Sequence, residues 1–227
     1  VLVVGGASDG HLSSASFGDA LGSVEIYDPA AGTWREVSLL TTPRFLHTAT
    51  LLGDGRVLIA GGSNANEEQI LSTEVFDPAT EVWAPGPSLA EARVFHAAAP
   101  LPDGGALVVA GKLANIKFLA TSERLTPSAD SFDASAVLPE SRTGLTLSVL
   151  PSGRLLAVAG LHGSTAGFNL LADAYVFDPD ADGWSPIGAL ATARVLHTST
   201  TLPTGEVLVV GGLGSGAVLD SAELAIP

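Results

Sequence analysis

Cysteine is absent from all 227 residues, which removes disulfides, thiolate metal sites and cysteine nucleophiles at once. Methionine is absent as well, even at position 1. No charged-then-apolar leader precedes the first apolar run, so the chain reads as processed or excised, with any targeting signal out of view. Basic residues are scarce, 10 against 24 acidic, giving a formal net charge of −14. A nucleic-acid partner is not expected on that balance, because phosphates call for a basic face. Long hydrophobic runs are missing too: stretches such as VLVVGGA and LLAVAGL are strand-sized, far short of the roughly 18 residues of a membrane helix, and membrane insertion is not expected. What remains is 46% hydrophobic, only 15% charged and carries 26 glycines, the composition of a packed, turn-rich chain.

Self-similarity organises that composition. The segments PRFLHTATLLGDGRVLIAGG, ARVFHAAAPLPDGGALVVAG, SRTGLTLSVLPSGRLLAVAG and ARVLHTSTTLPTGEVLVVGG align without a gap, with Arg44, Arg93, Arg142 and Arg194 each 18 residues before Gly62, Gly111, Gly160 and Gly212. A second block is equally regular: Asp28, Asp77, Thr126 and Asp178 each precede Trp34, Trp83, Phe132 and Trp184 by six residues, and each aromatic precedes the next arginine by ten. All length variation therefore falls between the glycine and the Asp position, with intervals of 22 residues from Gly6, 15 from Gly62, 15 from Gly111 and 18 from Gly160.

Each repeat reads as four short strands. The first is small and β-branched (HTATLL, HAAAPL, LTLSVL, HTSTTL), the second apolar and closed by glycine, the third alternating, and the fourth starts at the tryptophan. Gly-containing turns join the first pair and Asp-Pro turns the last pair, where glycine permits positive φ and proline presets φ. An all-β radial repeat is the consequence, with the small residues of the first strand nearest a crowded axis.

On these residues the chain resembles the kelch repeats, which join a double glycine, an aromatic and a tryptophan at about fifty residues per propeller blade. Gly5-Gly6, Gly61-Gly62 and Gly211-Gly212 carry the doublet, Ala110-Gly111 and Ala159-Gly160 keep its second member, and Tyr27, Phe76 and Phe177 carry the aromatic that Leu125 lacks. The Asp-Pro and Arg-x-x-His variants are those of bacterial kelch chains. The resemblance implies a single β-propeller domain over 1–227, with blades at about 1–40, 41–89, 90–138, 139–190 and 191–227. The strand count is 3 + 4 + 4 + 4 + 3, and the expectation is an incomplete ring from a six- or seven-bladed propeller, with further blades or domains in a longer chain. On the logic of repeats, Gly6, Gly62, Gly111, Gly160, Gly212 and Trp34, Trp83, Phe132, Trp184 are structural, the aromatics supplying burial between sheets.

In a four-stranded antiparallel blade the second-to-third connections share one face, and rigid scaffolds carry their binding loops where lengths vary. The candidates there are Asp9, His11, Asp19, Asn64, Asn66, Glu67, Glu68, Lys112, Asn115, Lys117, His162, Asn169 and Asp173, the lengthened 7–22 loop foremost. Arg44, Arg93, Arg142 and Arg194, followed at three residues by His47, His96 and His197 (Leu145 breaks the series), suggest either a cationic collar for a carboxylate ligand or a contact that serves the blade in every copy. Asp178, Asp180, Asp182 and Gly183 spell half a calcium loop but lack the bidentate Glu at the twelfth position, and they coincide with the repeat hairpin. Neither Tyr27 nor Tyr175 is placed to act as a nucleophile, and no catalytic residue, metal or cofactor is expected. The function expected from the resemblance is a non-catalytic scaffold for a protein or glycan partner, extracellular or at the cell surface. The alternative is the propeller portion of a larger carbohydrate-active or galactose-oxidase-like enzyme.

Overall fold

In the computed structural model, which describes residues 1–8, 19–113, 117–164 and 167–227, each repeat folds into one antiparallel sheet, and five sheets form a β-propeller. Blade 1 holds β1 (Leu2–Val4), β2 (Val24–Asp28) and β3 (Thr33–Glu36). Blade 2 holds β4 (Thr48–Leu51), β5 (Val57–Ala60), β6 (Thr73–Asp77) and β7 (Val82–Pro85). Blade 3 holds β8 (Ala97–Pro100), β9 (Ala106–Val109), β10 (Ser122–Leu125) and β11 (Phe132–Ser135). Blade 4 holds β12 (Thr146–Val149), β13 (Leu155–Ser164), β14 (Gly167–Asp178) and β15 (Gly183–Ala189), and blade 5 holds β16 (Thr198–Thr201), β17 (Val207–Val210) and β18 (Ala222–Ala225). No helix occurs among the described residues.

In blades 2 to 4 the apolar run of the second strand has both its faces covered, whereas Val3 of β1 and Val210 of β17 are 45% and 42% exposed. Leu58, Ile59, Leu107, Val108 and Leu155 to Val158 are wholly inaccessible. The core is accordingly a set of layers between neighbouring sheets rather than one nucleus. Leu58, Ala60 and Val75 of blade 2 meet Ala106, Val108 and Leu125 of blade 3, and Val158 and Val176 of blade 4 meet Val207 and Val209 of blade 5. The first strands β4, β8, β12 and β16 touch one another in turn, which their Ala, Ser and Thr side chains permit.

The glycine positions join blades. Gly6, Gly62, Gly111 and Gly160 donate their N–H to the carbonyls of Arg44, Arg93, Arg142 and Arg194 in the following blade, at 2.8–3.0 Å. At Gly62 φ is +93° and an added Cβ would lie 2.6 Å from the Phe45 carbonyl oxygen, so both backbone conformation and close approach require glycine there. The Asp-Pro hairpins also close as expected, with Asp28, Asp77 and Asp178 accepting a backbone N–H two residues on at 2.8–3.0 Å. Asp182 accepts instead from the Ser135 hydroxyl and the Ala136 N–H of blade 3. The Asp178–Gly183 sequence is thus hairpin and inter-blade contact together.

Two expectations need correction. The tryptophans are not the buried aromatics: Trp34 is 53% exposed, whereas Phe76 and Phe177 are 1% and 0% exposed. Trp83 and Trp184 lie on the outermost strands, stack on those phenylalanines at 4.9 and 5.0 Å, and donate Nε1–H to Ser38 and Ala136 of the preceding blade at 2.8 and 3.1 Å. Trp83→Ala should therefore cost about 1–3 kcal/mol, less than the ~3–5 kcal/mol of a core aromatic. Denaturant unfolding that shows a core-sized loss would restore Trp83 to the core. The second correction concerns the blade 4 connection, whose described residues are strand: β13 and β14 pair on through Leu161↔Leu170, His162↔Asn169 and Gly163↔Phe168.

Candidate functional site

The four repeated arginines lie inside the blades. Their side chains are fully buried. Arg44 donates to the carbonyls of Gly61 and Ser72 at 2.9 and 2.8 Å and to Glu74 at 3.0 Å; Arg93 donates to those of Ala110 and Thr121 and to Glu123 at 2.7 Å. Arg194 repeats the pattern with Gly211, Ser221 and Glu223. The carbonyls belong to the arginine's own blade. The carboxylates also bind the connection into that blade, Glu74 accepting from Thr41 and Thr42, Glu123 from Ala90 and Glu91, and Glu223 from Ala191 and Thr192. Burial disfavours the Glu223 charge, but the Ala191 N–H and the Arg194 guanidinium outweigh it and hold its carboxyl below the usual range.

These acids were not singled out from sequence, although a signal exists: Glu74 and Glu123 each stand three residues before the Asp position of the hairpin, and Glu223 stands at the matching place, three before Ile226. Blade 4 departs from it. Tyr175 occupies that place and lies 5.1 Å from the Arg142 guanidinium, while Asp173 supplies the carboxylate, at 3.1 and 2.8 Å to Arg142. An irregularity between Ala174 and Tyr175 in the β14–β15 pairing accompanies the shift.

The histidines stand between blades. His96 Nε2 is 2.9 Å from the Thr48 hydroxyl of blade 2, and His197 Nε2 is 2.9 Å from the Thr146 hydroxyl of blade 4. Where the preceding blade presents Ala97, which has no hydroxyl, the histidine position is Leu145, and the two pack together. The break in the histidine series is thus a matched exchange across an interface. Burial first, and then the adjoining guanidinium, pushes His47 and His197 down to about 4 and His96 down to about 3. All three are neutral at pH 7. No cluster of three His, Asp or Glu side chains able to hold a metal is found among the described residues.

The residue two after each arginine lies just before the first strand, on the face of the second-to-third connections. Leu46, Phe95 and Leu196 all adopt φ between +51° and +56° there, and Gly144 +62°, a left-handed conformation unfavourable for L-residues. The Phe95 carbonyl accepts from the Gly144 N–H, and the Gly144 carbonyl from the Leu196 N–H, so these residues link blade to blade. Gly144 supplies no side chain, and a cleft of about 320 Å³ lies there, lined among others by Phe95, Lys112, Phe118, Phe168, Leu196 and Leu213. Phe168, Leu196 and Leu213 are 59%, 48% and 43% exposed, an apolar surface of the kind that marks interaction sites.

Of the candidate loop residues, Lys112 lines this cleft, and His162 flanks it, 6.2 Å from the Phe118 ring with Nδ1 2.8 Å from the Ser141 carbonyl. Asn64 is occupied by its own loop, accepting from the Asn66 and Glu68 N–H groups. Asp9, His11 and Asn115 lie outside the described residues. The apolar lining was not anticipated from sequence; the Thr143-Gly144-Leu145 departure from the other copies was its one visible sign.

No family model matches the chain, and no curated protein does. Among solved structures it is similar to YjhT, with a TM-score of 0.81 over 98% of this chain and 77% of that one, at 14% identity. A likeness at that identity shows the fold, a β-propeller.

Proposed function

We propose that the chain is a non-catalytic propeller scaffold that binds a protein partner on the face of its second-to-third connections, with the cleft over blades 3 to 5 as the anchor point. The observation that carries this is the exposed apolar lining, which offers area to an apolar side chain and little to a sugar. Among the described residues only Lys112 and Thr143 contribute polar side chains to the lining, and the Thr143 hydroxyl already donates to the Phe95 carbonyl at 3.2 Å. A glycan site needs convergent polar groups, so a protein is favoured over a glycan. Against an enzymatic propeller stands the engagement of both tyrosines, Tyr27 stacked on Trp34 at 5.0 Å and Tyr175 beside Arg142.

Site-specific photo-crosslinking tests the proposal. Benzoylphenylalanine in place of the exposed Phe168 should capture a polypeptide whose synthetic fragment then binds the purified chain, and the same label in place of the exposed Val82 on β7 should not. Equal capture from both positions would overturn the proposal. Glycan-array binding that Phe168→Ser abolishes would replace it with the glycan reading.

A further inference from the structure

We infer that the cleft recognises a partner segment in which an aromatic or branched apolar side chain stands beside a carboxylate, with Lys112 as the counter-charge. This inference rests on the protein-binding reading above and adds the chemistry of the bound segment.

The distribution of cations carries it. The chain has two lysines, Lys112 and Lys117, and both belong to the blade 3 connection. Seven of the eight arginines are committed to carboxylates: Arg35 to Glu81, Arg44 to Glu74, Arg56 to Asp54, Arg93 to Glu123, Arg124 to Asp103, Arg142 to Asp173 and Arg194 to Glu223. Arg154 folds back on the Ser152 hydroxyl at 3.3 Å in the blade 4 turn. Lys117 stands 3.7 Å from Glu91. Lys112 alone of the two lysines has no carboxylate partner among the described residues. Its Nζ is instead 5.6 Å from the centre of the Phe95 ring, a wall of the cleft, a geometry in which a cation is held against an aromatic face.

On a surface whose net charge is −14, a generally acidic partner is repelled at a distance. Screening at physiological ionic strength confines each charge to about 8 Å, so the local cation decides at the cleft itself. One carboxylate placed there gains a charge-assisted contact, while the apolar side chain next to it fills the cleft among Phe95, Phe118, Phe168 and Leu213. The strands β13 and β14 bring Phe168 to the rim, and an added Cβ at Gly163 would collide with the Phe168 ring at 2.4 Å, so the ring's seat depends on that glycine. The volume, about 320 Å³, takes one side chain with its flanking backbone and not a folded element.

A displayed heptapeptide library panned on the purified chain tests this. The expected result is enrichment of Phe, Trp, Leu or Ile adjoining Asp or Glu. Panning on Lys112→Glu should replace the adjoining acid with Lys or Arg while the apolar residue persists. For one enriched peptide, Asp→Asn in the peptide or Lys112→Ala in the protein should each weaken binding about fivefold, and the two together should weaken it no further, as expected of a single partly desolvated charged contact. Unchanged thermal unfolding of Lys112→Ala would certify its fold. Apolar enrichment with no acid preference, or no effect of Lys112→Glu, would overturn the inference and leave the scaffold reading standing. Enrichment indifferent to Phe168→Ser and Leu213→Ser would remove both.

Discussion

Glu123→Leu is expected to destabilise the chain by about 3–5 kcal/mol, the usual result of stripping a buried charge of its partner. The Arg93 guanidinium is 0% exposed, and with Glu123 gone its remaining acceptors are the carbonyls of Ala110 and Thr121, the Thr121 hydroxyl at 3.3 Å, the more distant Glu91 carboxylate at 3.8 Å, and the Glu91 carbonyl at the edge of hydrogen-bonding range. The Ala90 and Glu91 N–H groups lose their acceptor in the same step. The net worth of the intact pair is a separate quantity, because taking both charges out of water offsets much of their attraction. Arg93→Met combined with Glu123→Leu should therefore recover the part of the loss that comes from the unpaired charge and leave the cost of the unpaired Ala90 and Glu91 N–H groups. Urea unfolding of the two single variants and the double variant measures the coupling directly. A loss below about 1 kcal/mol for Glu123→Leu would show that water or another acid reaches the guanidinium. Arg93→Lys should fall between, since an ammonium cannot reproduce the fork that reaches two carbonyls and a carboxylate together.

Acid should begin to destabilise the chain well above the carboxylate range. His47 and His197 titrate at about 4 and His96 at about 3 in the folded state, against 6.5 for a free histidine. The unfolded chain therefore binds protons below pH 6.5 that the folded chain refuses. Stability is fully present above 6.5 and falls with pH from there to about 4 for His47 and His197 and to about 3 for His96, by up to about 1.4 kcal/mol per pH unit for each histidine. Asp173 and Glu223, held below the usual carboxylate range, add their losses only lower down. The histidine contribution is thus isolated between pH 6.5 and 5. The matched exchange at Ala97 and Leu145 supplies the control: His96→Leu with Thr48→Ala copies it into the neighbouring interface and should remove about a third of the slope. A slope that this pair of substitutions leaves intact would mean that His96 is not a neutral buried group.

The blades were legible because what defines them is local and periodic. Apolar second strands, Gly-bearing and Asp-Pro turns, and the small residues of the first strand each occupy a fixed place in four gapless copies, and the five sheets follow them strand for strand. The contacts that hold one blade to the next were legible only in part. The arginines stood out, but the acids they bind lie 29 to 31 residues away on the third strand, and the Asp173 substitution in blade 4 shifts the partner by two places. The tryptophans misled because size suggests burial, whereas their strand is outermost. The apolar cleft was not legible because its walls come from three blades, Phe95 and Phe118 from blade 3, Phe168 from blade 4 and Leu196 and Leu213 from blade 5.

By itself, then, the sequence determined the repeat period, the four-strand blade, the turn chemistry and the all-β class, since each depends on residues within a few positions of one another. Only the tertiary structure decided that the arginines are buried and paired, that His96 answers Thr48 across 48 residues while Leu145 answers Ala97, and that Lys112 borders an apolar hollow. Those facts depend on how one sheet packs against the next, and a side chain's partner across a packed interface is set by position in space, which spacing along the chain does not record.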